Sequence, residues 1–235
     1  MTRDELGKSL NLEEIIIPPG NKNRPGRNLR PEQIAIHNTD NPKLGADAPA
    51  HARYLIKEHG ISPPYGPTSW HYTVDDSMTI KHLPLGEIGL HAYASGNSIA
   101  IGIELCMNKD GVWESTVDRA ARLTAALCFD FGWGIDDIKQ HNNYPRQDGT
   151  FKDCPSVMRD EGGAGWVNFI SLVQHYLSLV FEAEGFPHGF HAKKEASSDG
   201  AMIFSNQESK ADGAELLDAD HGVIVIPEEL LSETK

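Results

Sequence analysis

The most regular stretch of the chain spans residues 166–181. Trp166, Phe169, Ile170, Val173, Tyr176, Leu177, Val180 and Phe181 recur at three- and four-residue steps, the spacing of one face of an α-helix. Such a helix must bury its stripe against another layer, so this part of the chain folds only as one element of a larger core. A second stripe, Val117, Ala120, Ala121, Thr124, Leu127, Cys128 and Phe131, predicts a partner helix. A third helix is predicted over 47–59, with Ala48, Ala52, Leu55 and Ile56 on one side and Gly60 as its stop. Between the helices lie short strand-like segments at 33–37, 69–74, 78–83, 99–105 and 138–141. Asp75-Asp76-Ser77 reads as a hairpin turn. Strands interleaved with helices predict an α/β fold: one mixed β-sheet of four or five strands, flanked by helices.

The rest of the chain has a different texture. Residues 1–31 read as an irregular arm rich in turn chemistry, Pro18-Pro19-Gly20 and Asn23-Arg24-Pro25-Gly26, with Ile15 to Ile17 offering a short strand or an anchor. Residues 84–97 and 142–165 read as loops. Residues 182–235 carry 12 acidic and 4 basic side chains, and 192–220 is rich in Ala, Ser, Gly, Asp and Glu. That composition suits a disordered linker, with 222–227 as a short strand or docking segment. The expected organisation is an arm (1–31), a folded domain (32–185) and an acidic, largely disordered C-terminal tail (186–235).

Charge and patterning narrow the function. A formal net charge of −13 argues against nucleic acid as a partner, because phosphate binding needs a basic surface. No apolar run reaches the ~18 residues of a membrane span. The N-terminus leads into no apolar signal core, so the expectation is synthesis in the cytoplasm. Three cysteines cannot all pair, and reduced thiols are the default there.

His37 closes an otherwise apolar strand, His141 ends another, and Cys154 follows in a loop before Pro155. Two imidazoles and a thiol at the ends of elements are what a catalytic zinc needs. Spacing alone favours the commoner outcomes, hydrogen-bonded strand-end histidines and a small buried thiol. Glu104 is the second anomaly. In Ile101-Gly102-Ile103-Glu104-Leu105-Cys106, alternation sends the three large apolar residues to one face and Glu104, with Gly102 and Cys106, to the other. A carboxylate there is either a general base raised by burial or a structurally paired glutamate. Lys152, two residues before Cys154, reaches the same site or is a solvated loop lysine. His51, His59 and His175 read as surface or packing residues.

Taken in order, several segments resemble a known family. They are Asn23-Arg24-Pro25-Gly26, Ile34 to Thr39, Ala50 to Leu55, Ser69 to Asp76, His82 to Leu85, Ile101 to Leu105 and Lys152-Asp153-Cys154-Pro155. Together they resemble the zinc-dependent N-acetylmuramoyl-L-alanine amidases of type 2, which include phage lysozyme-like amidases and peptidoglycan-recognition proteins. The prophage and autolysin branch is the most similar. The resemblance implies that fold, a Zn2+ cofactor held by His37, His141 and Cys154, and Glu104 as catalytic base. It implies Lys152 as a catalytic lysine near the metal. It also implies Trp70 and His91 at the substrate groove, Trp70 standing where some relatives have a catalytic tyrosine. Asn142 and Asn143 replace a tyrosine or aspartate usual after the second ligand.

The implied activity is hydrolysis of the amide between N-acetylmuramic acid and L-alanine in peptidoglycan. Two alternatives are a non-catalytic peptidoglycan-binding module and an amidohydrolase using Cys154 as nucleophile with His141 as base. Action on the wall implies phage-type release or a dedicated export machine. The oligomeric state has no signature in the sequence.

Overall fold

The computed structural model describes residues 1–58 and 66–186, and the backbone of three short strands beyond them. The hydrophobic alternation seen in the sequence builds a six-stranded mixed sheet with the order β1-β4-β3-β5-β2-β6. Its strands are β1 (Leu12–Glu14), β2 (Gln33–Asn38), β3 (Tyr72–Val74), β4 (Thr79–Lys81), β5 (Ala100–Leu105) and β6 (Ile138–Gln140). Every neighbouring pair is parallel except the β3–β4 hairpin. The helices are α1 (Arg3–Lys8), α2 (Ala48–Ile56), α3 (Tyr93–Asn97), α4 (Trp113–Phe131) and α5 (Ser156–Glu184).

The two sheet faces differ in chemistry. Ile34 and Ile36 of β2, Tyr72 and Val74 of β3, and Ile101, Ile103 and Leu105 of β5 share one core with buried residues of α1, α4 and α5. Full burial of each such aliphatic side chain contributes about 1.5–3 kcal/mol, so this face holds the domain together. The opposite face presents small and polar residues: Ala35, His37, Gly102, Glu104 and Cys106. α2 covers part of it through Ala48 and Ala52, packed with Ile80 and Cys106. The rest is left for chemistry.

Several expectations are corrected. The arm 1–31 is not irregular. Its first residues form α1, capped by Thr2 and Glu5 in a reciprocal capping box, and Leu6 and Leu10 are buried in the main core. Residues 12–14 add an edge strand parallel to β4, and the sheet therefore has six strands. The loop 84–97 contains α3, and α5 starts ten residues before the expected stripe. α4 ends at Phe131, the last residue of the expected stripe, and is capped by Gly132, whose φ of 68° is the left-handed turn that glycine adopts without strain. His59 and Gly60 lie outside the described residues. Most of 192–220 does too; the described residues beyond 186 form β7 (Glu195–Ala196), β8 (Met202–Phe204) and β9 (Ile224–Ile226), paired antiparallel in a separate sheet.

Candidate active site

β2 and β5 are parallel neighbours, and His37 stands in register with Glu104. Both side chains point away from the main core by the alternation described above. His141 follows directly on β6 in a short helical turn. Asn142 ties that turn to the loop carrying Cys154: its backbone N–H donates to the Cys154 carbonyl at 2.9 Å, and its side-chain amide donates to the Lys152 carbonyl at 2.7 Å. The departure noted in the sequence at Asn142 thus clamps two site segments together.

The result is a convergence of donors. Nδ1 of His37 lies 3.0 Å from Nδ1 of His141 and 3.9 Å from Sγ of Cys154. The ligand atoms of all three residues lie within 4.8 Å of one another, and all three residues are buried. This set can hold a metal ion. Glu104 Oε1 stands 3.9 Å from Nδ1 of His37, while its Oε2 is buried with no hydrogen-bond partner. Nε2 of His141 is likewise buried without one.

Burial dominates the electrostatics. It raises the Glu104 carboxyl to about 8, against the opposing pull of Lys152. It lowers His141 to about 4, helped by Lys152 and Arg146, and holds His37 well below its ordinary value, helped by His91, His141 and Lys152. Neutral imidazoles are the ligating form. Burial, with Glu104 adding, pushes the Cys154 thiol up to about 12, the opposite of an activated nucleophile.

A cleft of ≈ 540 Å³ opens beside Glu104 and Lys152, lined also by His51, Tyr54 and Trp70. Trp70 is held by its indole N–H, which donates to Thr73 Oγ1 at 2.6 Å; that oxygen in turn lies 2.8 Å from Nε2 of His82. Lys152 Nζ is 4.0 Å from Asp40 and 40% exposed, at the mouth of the cleft. His51, read from sequence as surface or packing, and Tyr54, which carried no expectation, are thus cleft residues. Their spacing from Asp47, the N-cap of α2, puts both on the helix face turned to the cleft, and that was the available signal. His91, the other residue expected near the groove, lies beside His37. It is half-buried and stands against His37, with its Nδ1 3.0 Å from Nε2 of His37, and it is not among the residues lining the cleft.

Residues 27–157 match the N-acetylmuramoyl-L-alanine amidase family. The chain belongs to this family. It is 39% identical over 187 residues to N-acetylmuramoyl-L-alanine amidase XlyA of Bacillus subtilis (strain 168), covering 75% of this chain and 59% of the relative. It is 34% identical over 164 residues to N-acetylmuramoyl-L-alanine amidase CwlH of the same organism, covering 68% of this chain and 60% of the relative. The chain thus spans about three fifths of these relatives. The solved catalytic domain of XlyA superposes with a TM-score of 0.60 at 37% identity, over 70% of this chain and 99% of that one. The solved structure of PlyL, at 23% identity and a TM-score of 0.55 over 70% of this chain and 96% of that one, shares the fold. Like these domains, the chain carries a mixed sheet flanked by helices, and no described helix is long and apolar enough to cross a membrane.

Proposed function

We propose that the chain is a zinc-dependent hydrolase of peptidoglycan, cutting the amide between the lactyl group of N-acetylmuramic acid and the first L-alanine of the stem peptide. The observation that carries this reading is the convergence of His37, His141 and Cys154 beside a partnerless oxygen of Glu104. Two imidazoles and a thiolate suit zinc, with one position left for water. At usual bond lengths a tetrahedral zinc separates two nitrogen donors by about 3.3 Å and a nitrogen from a sulfur by about 3.6 Å. Two of the separations here, 3.0 and 3.9 Å, lie within about half an ångström of those values, and all three ligand atoms lie within 4.8 Å of one another. Bound zinc supplies Lewis-acid polarisation of the scissile carbonyl and an acidified water.

The chain's own residues supply the rest. Glu104, whose Oε2 is buried with no hydrogen-bond partner, accepts a proton from the attacking water and delivers it to the departing amine. The Lys152 ammonium stabilises charge developing on the carbonyl oxygen. Trp70, Tyr54 and His51 wall the cleft and orient the sugar and peptide. The substrate lies in the cell wall, which the protein reaches by phage-type release or dedicated export.

Metal analysis of the purified chain, combined with product mapping on digested sacculi, tests this. The expected result is about one zinc per chain, loss of turnover with chelator, and new L-alanine amino termini. Full turnover in metal-free protein overturns it. Sacculus binding without cleavage would instead assign a binding module.

A further inference from the structure

We infer that His91 is a positioning residue that fixes the tautomer of His37 and aims its Nδ1 lone pair at the metal. The inference rests on the reading of His37 as a ligand, and it deepens that reading.

The argument follows the hydrogen bonds inward from the backbone. Nε2 of His91 lies 3.2 Å from the carbonyl oxygen of Ala100. A carbonyl only accepts, so this nitrogen carries the proton. Among the described residues no carboxylate lies within hydrogen-bond or ion-pair distance of the His91 ring to hold a second proton, so the ring is a neutral imidazole with a single N–H. Its Nδ1 is therefore an acceptor. Nε2 of His37, 3.0 Å away, must donate to it. That leaves Nδ1 of His37 unprotonated, facing Nδ1 of His141, Sγ of Cys154 and Oε1 of Glu104. The opposite tautomer would turn an N–H toward the cation and leave two acceptors, Nε2 of His37 and Nδ1 of His91, facing each other.

The fold holds this relay rigidly. The His91 backbone N–H donates to Asn97 Oδ1 at 2.8 Å, and the same oxygen accepts from Ala92 at the start of α3. The ring is pinched between two glycines. A Cβ at Gly102 would lie 2.8 Å from three ring carbons of His91, and one at Gly89 would lie 2.9 Å from its Cδ2. Gly102 sits two residues before Glu104 on β5. The missing side chain therefore makes room for the supporting ring on the same strand that carries the base. Partners of this kind typically account for about 10–100-fold in metal affinity.

The test uses the full chain. In metal-free protein, ¹⁵N NMR should show His37 as the Nε2–H tautomer; a dominant Nδ1–H form overturns the inference without any variant. His91→Phe keeps the ring's shape and removes the acceptor. Competition with a chromophoric chelator should then show zinc affinity about 10–100-fold weaker. His91→Asn, whose amide oxygen overlays Nδ1, should recover much of the loss. Gly102→Ala, which displaces the ring, should behave like His91→Phe. A folded His91→Phe variant that binds zinc within twofold of wild type, with its His37 tautomer unchanged, overturns the inference. Wild-type protein that binds no zinc sinks the metal reading instead, while the metal-free NMR still decides the relay.

Discussion

Leu6 tests whether the first residues belong to the domain. It lies on the two-turn helix α1 and is 0% exposed, packed in the core that α4 and α5 share with the sheet. Truncation to alanine removes three buried carbons and leaves a cavity, which costs about 3 kcal/mol. For an ordered unit of this size, 1 kcal/mol shifts the melting temperature by about 2–4 °C, so Leu6→Ala should melt about 6–12 °C lower. The other anchors of α1 are weaker. The Arg3–Asp130 ion pair is partly exposed and contributes at most about 1 kcal/mol. Leu12 is the internal control. It sits on the same segment but is 47% exposed on the edge strand, so Leu12→Ala should change stability by less than about 0.5 kcal/mol. Thermal melts followed by circular dichroism, with a urea titration for the free energy, measure both. Equal small shifts for the two variants would refute the claim that α1 is part of the core.

Glu104→Gln keeps the shape of the site and removes the base; zinc content should persist while turnover on soluble muropeptide falls on the order of 10²–10⁴-fold, and unchanged turnover would move the base elsewhere. Acid should destabilise the metal-free protein. His71 and His82 are held neutral by burial, at about 4 and about 3, so below about 6.5 the unfolded chain binds more protons than the folded one and stability falls as pH drops toward 4. Each group costs up to about 1.4 kcal/mol per pH unit in that window, and a urea midpoint that stays constant from pH 7 to 4.5 would contradict it. A chain ending at Gly185 should melt and cleave much like the full chain, because α5 already buries Phe169, Val173, Leu177 and Val180 in the core; a markedly lower melting temperature would assign the tail to the fold.

The strands that carry the chemistry were the most legible part of the sequence. In β2 and β5 a period of two separates large apolar residues from His37 and Glu104, and burial on one face makes that register obligatory. α1 was not legible because six residues hold too few periods to count, and its only mark is the Thr2–Glu5 capping box. β1 was invisible for another reason. Its three side chains are exposed, and backbone pairing to β4 with the Lys81–Glu14 ion pair holds it, so no hydrophobic pattern exists. The early start of α5 is masked by Gly162, Gly163 and Gly165, which dilute the stripe. At the site, the strand-end positions of His37 and His141 and the alternation around Glu104 singled out residues that the fold brings together. Neither pattern could show that Nδ1 of His91 lies 3.0 Å from Nε2 of His37, because that contact joins residues 54 positions apart.

The register of His37 with Glu104 makes the sheet a ruler for the chemistry. The distance from His37 to Glu104 is set by the spacing of two hydrogen-bonded strands, about 4.8 Å, and no loop has to hold it. Adding one residue to β5 ahead of Glu104 would send the carboxylate into the aliphatic core and bring an isoleucine out to the cleft. The two central strands can therefore accept substitutions but not changes of length. His141 and Cys154 hang from turns laced together by Asn142, and there the chain is free to lengthen or shorten around a fixed clasp. Drift within such a domain is thus channelled to the rim of the cleft.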